Sequence, residues 1–434
     1  MASNGAVTIP VAGQETQPLL NNQPAQPVQQ PFRCRRGPLC KRCLAGTHEA
    51  ALKRKYMRRT AFAMFIVWFF YLSFGFPRFG FSNDKGECRG SLVPWQGRNR
   101  FESEKAFINS MFVLIGKGDI AGNVDIQISS DVHRPTVLVD AKVRENDQHV
   151  LHLQVEEDNG IFRFHIWADV REHHHGRKTC AQVSVKVLFP ATMATLGTLS
   201  VQGTVVDIRT WDLGSLQLSS VDLTTVVGKI EAGSLLASRL QATATDGPIT
   251  ISHIEGLVDK RLSLDLQTNV GAIRALAVVR RLAIDHHDIN IRSHTGSILL
   301  DVQQRDHTRN PGNYGPLPGN LLVKATSEVG HVVTNIAVLE GQALMLGLSS
   351  ATSTLDATVT DTYLGRINLM SEFGRLEITE LLRSRTVIEY EENNRKKKVA
   401  RKFFRDGRYS DVSGSIYMNS NVGKANLKFV RPEY

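Results

Sequence analysis

Residues 263–300 read SLDLQTNVGAIRALAVVRRLAIDHHDINIRSHTGSILL, and two phrases inside them determine the fold class. Thr268-Asn269-Val270-Gly271-Ala272-Ile273-Arg274-Ala275 and Ser293-His294-Thr295-Gly296-Ser297-Ile298-Leu299-Leu300 share one plan. A hydroxyl residue is followed three positions on by glycine, and apolar residues stand at the second and fourth positions beyond it. Alternation at period two means a short strand with one buried face, and a glycine ahead of it supplies the positive φ of a tight turn. The same phase recurs at Gly197, Gly214, Gly228, Gly247, Gly330, Gly365, Gly374, Gly414 and Gly423, with apolar pairs such as Leu199/Val201, Ile230/Ala232, Ile249/Ile251 and Ala425/Leu427. Only Gly330 departs, with Thr334 at its fourth position. A hydroxyl also precedes the glycine by three residues at Thr225, Ser327, Thr362, Ser371 and Ser420, where it can bond local backbone in the turn.

Many short strands with a recurring turn, and no helical period between them, predict a mainly β chain folded as an elongated β-solenoid. The irregular spacing of the copies requires loops of different length, and 302–320 and the basic stretch 391–408 read as two of them. Val137–Val143, Val150–Val155, Ile161–Trp167 and Val183–Phe189 alternate in the same way and open the domain. A β-sandwich would explain the alternation but not the repeated glycine phase. Ser/Thr-x-x-Gly-x-Ile-x-apolar in many copies resembles the "putative adhesin" β-solenoid domain of bacterial and fungal proteins. The likeness covers about residues 105–430, including Gly116-Lys117-Gly118-Asp119 before the strand Val124–Ile128. That resemblance implies a surface or lumenal binding scaffold.

Ahead of this domain, Ala61 to Phe76 reads AFAMFIVWFFYLSFGF, sixteen residues without a charge between Arg58-Arg59 and Pro77-Arg78. A helix there covers ~24 Å at ~1.5 Å per residue, and Thr60 with a snorkelling Arg78 extends it toward the ~30 Å hydrocarbon core. It shows no polar face, and no small-residue cleavage site follows it, so it reads as a retained signal anchor. Residues 1–59 carry ten Lys/Arg against Glu15 and Glu49, leaving the rest of the chain only +2 of the total +10. The positive-inside rule then puts the N-terminus in the cytosol and the main domain in a lumen or outside the cell. The expected organisation is a tail over 1–59, a transmembrane anchor over 60–78, a linker over 79–104 and the solenoid over 105–430. A nearly neutral main domain gives no reason to expect nucleic acid as a partner.

The Pro/Gln/Asn-rich start of the tail cannot bury enough surface to fold and reads as disordered. Within it Glu15, Leu19 and Leu20 match the acidic dileucine signal that sorting adaptors read. With the short span, this points to an internal membrane such as the endosome or vacuole rather than the cell surface. Cys34, Cys40 and Cys43 lie among arginines next to the span, the setting of reversible palmitoylation. Cys88 and Cys180 both fall on the oxidising side and are expected to form a disulfide.

No catalytic motif, metal site or cofactor site emerges. His173-His174-His175 cannot all face one ion in strand geometry, and His286-His287-Asp288 meets the same objection. Asp207, Asp212, Asp222, Asp246, Asp265 and Asp285 are scattered, so a membrane-anchored parallel β-helix enzyme acting on carbohydrate is the alternative to a non-enzymatic binding scaffold. Arg395, Lys396, Lys397, Lys398, Arg401, Lys402 and Arg405 form a run that could grip a polyanion from a loop. The ligand, protein or glycan, is not named by the sequence. Topology is testable directly: protease added to intact vesicles should remove the tail and spare residues 90–434, and digestion of the main domain with the tail protected would reverse the orientation.

Overall fold

The hydroxyl-glycine phrase turns a corner between two strands that never pair with each other. Ser263–Val270, ahead of Gly271, runs parallel to His287–Thr295, ahead of Gly296, with Leu264 opposite Ile289 and Leu266 opposite Ile291. Ile273–Arg280, after the first glycine, runs parallel to Ile298–Arg305, after the second. Each coil therefore adds one strand to a front ladder and one to a back ladder. Successive coils of different length keep the same register, apart from a bulge between Ile251 and Ile254 against Ile273–Arg280.

The inner faces of the two ladders form the core. Val221, Leu240, Leu264, Ile289 and Val323 make one column of the front ladder. Ile230, Ile249, Ile273, Ile298 and Val332 make its counterpart in the back ladder. All ten are buried. Each contributes about 1.5–3 kcal/mol relative to exposure, so register is set by the columns and a slip by one residue would turn every one of them outward.

The corner itself is tighter than a turn requires. Gly271 and Gly296 have φ of 150° and 154°. A Cβ on Gly296 would lie 1.9 Å from the Gly271 carbonyl oxygen. The same carbonyl accepts a hydrogen bond from the Ser293 hydroxyl at 3.1 Å, as the Gly247 carbonyl does from Thr268 at 3.0 Å and the Gly296 carbonyl from Ser327 at 2.9 Å. The hydroxyls therefore bond the preceding coil rather than their own turn, and each contributes about 1 kcal/mol of coil-to-coil cohesion.

Gly228, Gly247, Gly271, Gly296, Gly330, Gly374 and Gly423 occupy this corner, whereas Gly365 and Gly414 open front strands and Gly197 lies inside one. Thr362, ahead of Gly365, accordingly bonds a different carbonyl, that of Val338. Some corners have no glycine: Ser353 stands at one, its carbonyl accepting from the Ser420 hydroxyl at 2.8 Å, and Val206 at another, its carbonyl accepting from the Thr225 hydroxyl at 2.8 Å. Thr334, the odd residue after Gly330, sits in the core column between Leu300 and Ala357 with a buried hydroxyl that has no partner.

The computed structural model describes residues 91–431, except 117–119, 170–180, 259, 281–285, 306–319, 340–341, 381–384, 392–395 and 404–413. The described residues are mainly β, with one short 3-10 turn at Glu145–Asp147. No helix among them is long and apolar enough to cross a membrane. The expected span at Ala61–Phe76, the tail with Glu15, Leu19 and Leu20, all five cysteines and His173 to His175 lie outside the described residues.

At both ends the stacking order departs from chain order. Gly414–Val422 lies between Leu344–Ser350 and Gly365–Phe373, and Ala425–Val430 between Leu355–Thr360 and Leu376–Glu380. The last coil in the chain is thus inserted between two earlier ones. The first coil is inserted likewise, with Ser110–Ile115 and Ile120–Ser129 between the coil of Ile161–Ala168 and Ala181–Pro190 and the long strand Thr195–Thr210. Antiparallel strands then cover the outermost coils: Thr136–Arg144 and Leu151–Asp158 at one end, and Lys397–Phe403 with Arg385–Glu391 at the other. Open ends would expose unpaired edges, and these strands cover them except at Leu376–Glu380, which among the described residues pairs only with Ala425–Val430.

The 391–408 stretch, expected as a loop, therefore contains a strand. The 302–320 stretch likewise begins as one, since Ile298–Arg305 continues through its first residues.

Replacing Gly296 by Ala should lower stability by upwards of ~2 kcal/mol, because both the positive φ and the neighbouring carbonyl oppose a Cβ. A denaturant melt of the variant reads this; a loss below about 1 kcal/mol would mean that the corner is not a close contact.

Candidate functional site

With one face of each strand committed to the core, the outer face of the front ladder is free to vary, and its composition changes along the stack. In the middle coils it is polar. Asp222, Gln241, Asp265 and Asn290 follow one another in a single column. Asp265 accepts from Asn290 at 2.8 Å and from Gln267 at 3.0 and 3.1 Å, and Asp222 accepts from Thr224 at 3.3 Å. These two carboxylates stand two coils apart, about 10 Å at ~4.8 Å per coil, on a flat face where side-chain donors already engage them.

At the N-terminal end the same face becomes apolar and recessed. Phe112 and Leu114 project from Ser110–Ile115 and line a shallow pocket of about 240 Å³. Arg163 and His165 come from the neighbouring coil, Gln154 and Glu156 from the capping strand, and Ser200 and Gln202 from the coil on the other side. Glu156 stands directly opposite Arg163 in the antiparallel pair. Beside the pocket Trp167 packs between His152, at 5.3 Å between ring centroids and 22°, and His165, at 4.8 Å and 40°. His152 Nε2 lies 2.9 Å from Asp169.

The arrangement suits binding better than catalysis. Glycoside hydrolysis requires two carboxyl groups flanking the scissile bond. The pocket has one, Glu156, and it faces a guanidinium. Among the described residues no group of three or more His, Cys, Asp or Glu could hold a metal ion. An apolar floor with amide, hydroxyl and guanidinium groups around it is a surface that orients a small ligand.

The back ladder carries a charged group of its own. Arg209 bonds Glu231 at 2.7 and 2.9 Å and stacks over Trp211, and Lys229 reaches the other carboxylate oxygen at 3.1 Å. The hydrogen bond from Arg209 holds the Glu231 carboxyl below its ordinary range. The Arg209–Glu231 pair ties adjacent coils together, whereas Lys229 and Glu231 belong to the same coil.

The residues singled out in the sequence fall elsewhere. Of the basic run, Arg395 and Arg405 lie outside the described residues. The strand Lys397–Phe403 alternates, so Lys398, Ala400 and Lys402 face inward while Lys397, Val399 and Arg401 face outward. Lys398 pairs with Glu391 at 3.5 Å, and Lys396 lies over the Phe373 ring at 5.7 Å.

Lys402 is buried, pairs with Asp361, and places its ammonium 3.7 Å from the centroid of the Phe429 ring. Burial pulls its pKa down against the opposing pull of Asp361. It is a packing element of the C-terminal cap, out of reach of a polyanion. Tyr363 stacks on Phe429 itself, at 6.1 Å between ring centroids, and donates to the Arg366 carbonyl at 2.8 Å; burial raises the pKa of its hydroxyl.

His287 is also structural. Its Nδ1 accepts from the Leu262 amide at 3.0 Å and its Nε2 donates to the Arg280 carbonyl at 2.6 Å, which fixes a neutral tautomer with neither nitrogen left for a metal. The N-terminal pocket, by contrast, has no motif in the sequence. Its only signal was an apolar residue at an outward position, as at Phe112 and Leu114.

No family model matches the chain, and no curated protein does. Among solved structures, a "putative adhesin" from Parabacteroides merdae is similar at 11% identity, covering 79% of this chain and 98% of its own, with a TM-score of 0.31. A "putative adhesin" from Bacteroides fragilis shows 13% identity over 78% of this chain and 97% of its own, with a TM-score of 0.28. A "putative lipid binding protein" from Parabacteroides distasonis shows 9% identity over 76% and 96%, with a TM-score of 0.26. At such scores these likenesses carry no argument about ligand or mechanism, and the solenoid architecture stands on the strand register alone.

The buried pair allows a double-mutant test. Asp361→Ala strands the Lys402 ammonium and should cost about 3–5 kcal/mol, whereas Asp361→Ala combined with Lys402→Met should recover most of that loss. Additive losses in chemical denaturation would show that the two groups are not coupled.

Proposed function

We propose that this chain is a non-enzymatic binding scaffold tethered to a membrane, with Ala61–Phe76 as a signal anchor and the solenoid on the lumenal or extracellular side. The observation that supports binding is the recessed pocket of Phe112, Leu114, Arg163 and Gln202, with a single carboxylate that is opposed by a cation. About 240 Å³ accommodates one ring-sized group, so the pocket reads one element of a larger glycan or protein ligand. Tethering rests on the charge step across Ala61–Phe76, and an internal membrane, endosome or vacuole, rests on Glu15, Leu19 and Leu20 as an adaptor signal. Cys34, Cys40 and Cys43 as palmitoylation sites, and Cys88 with Cys180 as a disulfide, belong to the same reading.

The test uses the full chain in detergent micelles against arrays of glycans and candidate proteins. Arg163→Ala and Trp167→Ala should each weaken the captured ligand at least tenfold without lowering the melting temperature by more than a few degrees. Shortening of a bound glycan by the parent, lost in Asp265→Asn, would replace binding with hydrolysis.

A further inference from the structure

Glycine inside a strand weakens it relative to alanine, and it persists where backbone or a ligand comes close. For most interior glycines of this chain the reason is visible. A Cβ on Gly122 would lie 1.9 Å from the Val183 carbonyl oxygen, on Gly197 2.7 Å from that of Asn109, and on Gly233 2.8 Å from that of Trp211. Gly347 has no such reason. It sits in the middle of Leu344–Ser350, in unbroken register between Lys324 and Tyr417, and its φ is not positive. Among the described residues nothing lies within 4 Å of the position its Cβ would take. The fold would accept a β-branched residue there, and the outward-facing space is left empty instead.

The neighbours of that space have a definite chemistry. Lys324 stands on the coil before it and Tyr417 on the coil after it, in the same outer column. Met345 is two residues along the strand on one side, and Ser349, bonded at 3.1 Å to Thr326, is two along on the other. Met345 and Tyr417 are each 41% exposed, unusual for such side chains on a polar face. Tyr417 directs its hydroxyl toward the Met370 sulfur at 3.7 Å, one coil farther on, which keeps it from covering Gly347. Arg366 faces outward on the coil beyond Tyr417 and Lys397 on the antiparallel strand that covers that coil, and the central columns of this stretch contain no carboxylate among the described residues.

We propose that the notch over Gly347 is a subsite for one acidic sugar of an extended anionic glycan, with Tyr417 and Met345 against the ring and Lys324 at its carboxylate or sulfate. Arg366 and Lys397 continue the cationic track for the residues that follow. A recess with a glycine floor admits the ring of a flexible chain, whereas a bilayer surface would call for apolar groups that protrude. The site lies seven coils from Phe112 in the same column, about 34 Å at ~4.8 Å per coil, and does not depend on the N-terminal pocket.

The experiment places the full chain in a phosphatidylcholine nanodisc and measures binding of alginate and heparin oligosaccharides, a neutral dextran of equal length, and phosphatidylserine vesicles. At least one acidic oligosaccharide should bind in a salt-dependent manner and the dextran should not. Gly347→Val should melt at the same or a higher temperature yet bind at least tenfold more weakly, and Lys324→Gln and Tyr417→Ala should each weaken binding several-fold. Parent affinity in Gly347→Val, no binding of either acidic oligosaccharide, or binding to the vesicles alone would overturn the proposal. If Gly347→Val melts lower, the Lys324 and Tyr417 variants decide, and parent affinity in both overturns it. Lys428→Gln, an exposed lysine on the outer side of the back ladder, should leave this affinity unchanged; a loss equal to that of Lys324→Gln would overturn the assignment to this notch.

Discussion

One contact repeats through this molecule and orders the rest: the carbonyl of a corner residue occupies the space where the next coil's glycine has no Cβ, and a serine or threonine hydroxyl bonds that same oxygen. The two halves occur together at most corners, whereas at Gly247 the residue three before is Ala244 and the glycine contact stands alone. The glycine allows the coils to approach to strand spacing at the corner, and the approach brings the hydroxyl of one coil within reach of the carbonyl below it. Were the corners looser, the front and back ladders could adopt independent registers. Because they are tight, Leu264 stacks on Leu240 and Ile273 on Ile249 at once, and a single alignment serves both ladders.

The inserted coils at the two ends follow from the same demand for neighbours. A terminal coil of a simple stack would be covered on one side only and would fray. Here the coil of Ser110–Ile115 and Ile120–Ser129 and the coil of Gly414–Val422 and Ala425–Val430 are each flanked on both sides by coils from elsewhere in the chain, and the antiparallel strands take the exposed positions. The buried Lys402 belongs to this closure. Its side chain covers the end of the core above Phe429, and Asp361, in the short connection that steps past the inserted coil, neutralises it. Loss of such a charge partner costs more than the pair contributes, so the cluster favours one arrangement of the cap over others without adding much stability.

How much of this was legible depended on whether a residue's role was local. The period-two alternation and the glycine phase are local, and they placed strands such as Thr136–Arg144, Ile161–Ala168 and Ala181–Pro190 to within a residue or two and indicated stacked coils. The partner of Ser293, by contrast, lies in the preceding coil, which no spacing within the phrase reveals. Stacking order is less local still: nothing around Gly414 or Gly423 distinguishes a coil added at the end from one inserted before it. The basic run misled for a related reason. As a string it is a charge cluster, but period two divides it, and Lys402 went to the core side with Ala400 while Arg401 went out. The candidate pocket depends on four separate segments meeting, so its residues carried no joint signal.

The separation between inner and outer columns also explains where function can reside. Every inner position is constrained by two neighbours above and below and by the opposite ladder, which is why an exception such as Thr334 leaves a hydroxyl with no partner. An outer position is constrained only by its neighbours along and across the ladder, and a short polar residue satisfies them, as Asp265, Gln267 and Asn290 do together. Departures from that default then carry information that core packing does not. Phe112 and Leu114 at one end, and Gly347 with Tyr417 and Met345 at the other, are residues that the strand environment does not require. A side chain larger or smaller than the ladder needs leaves room for contact with something outside the ladder, and on this face an apolar floor and an empty position are two such departures.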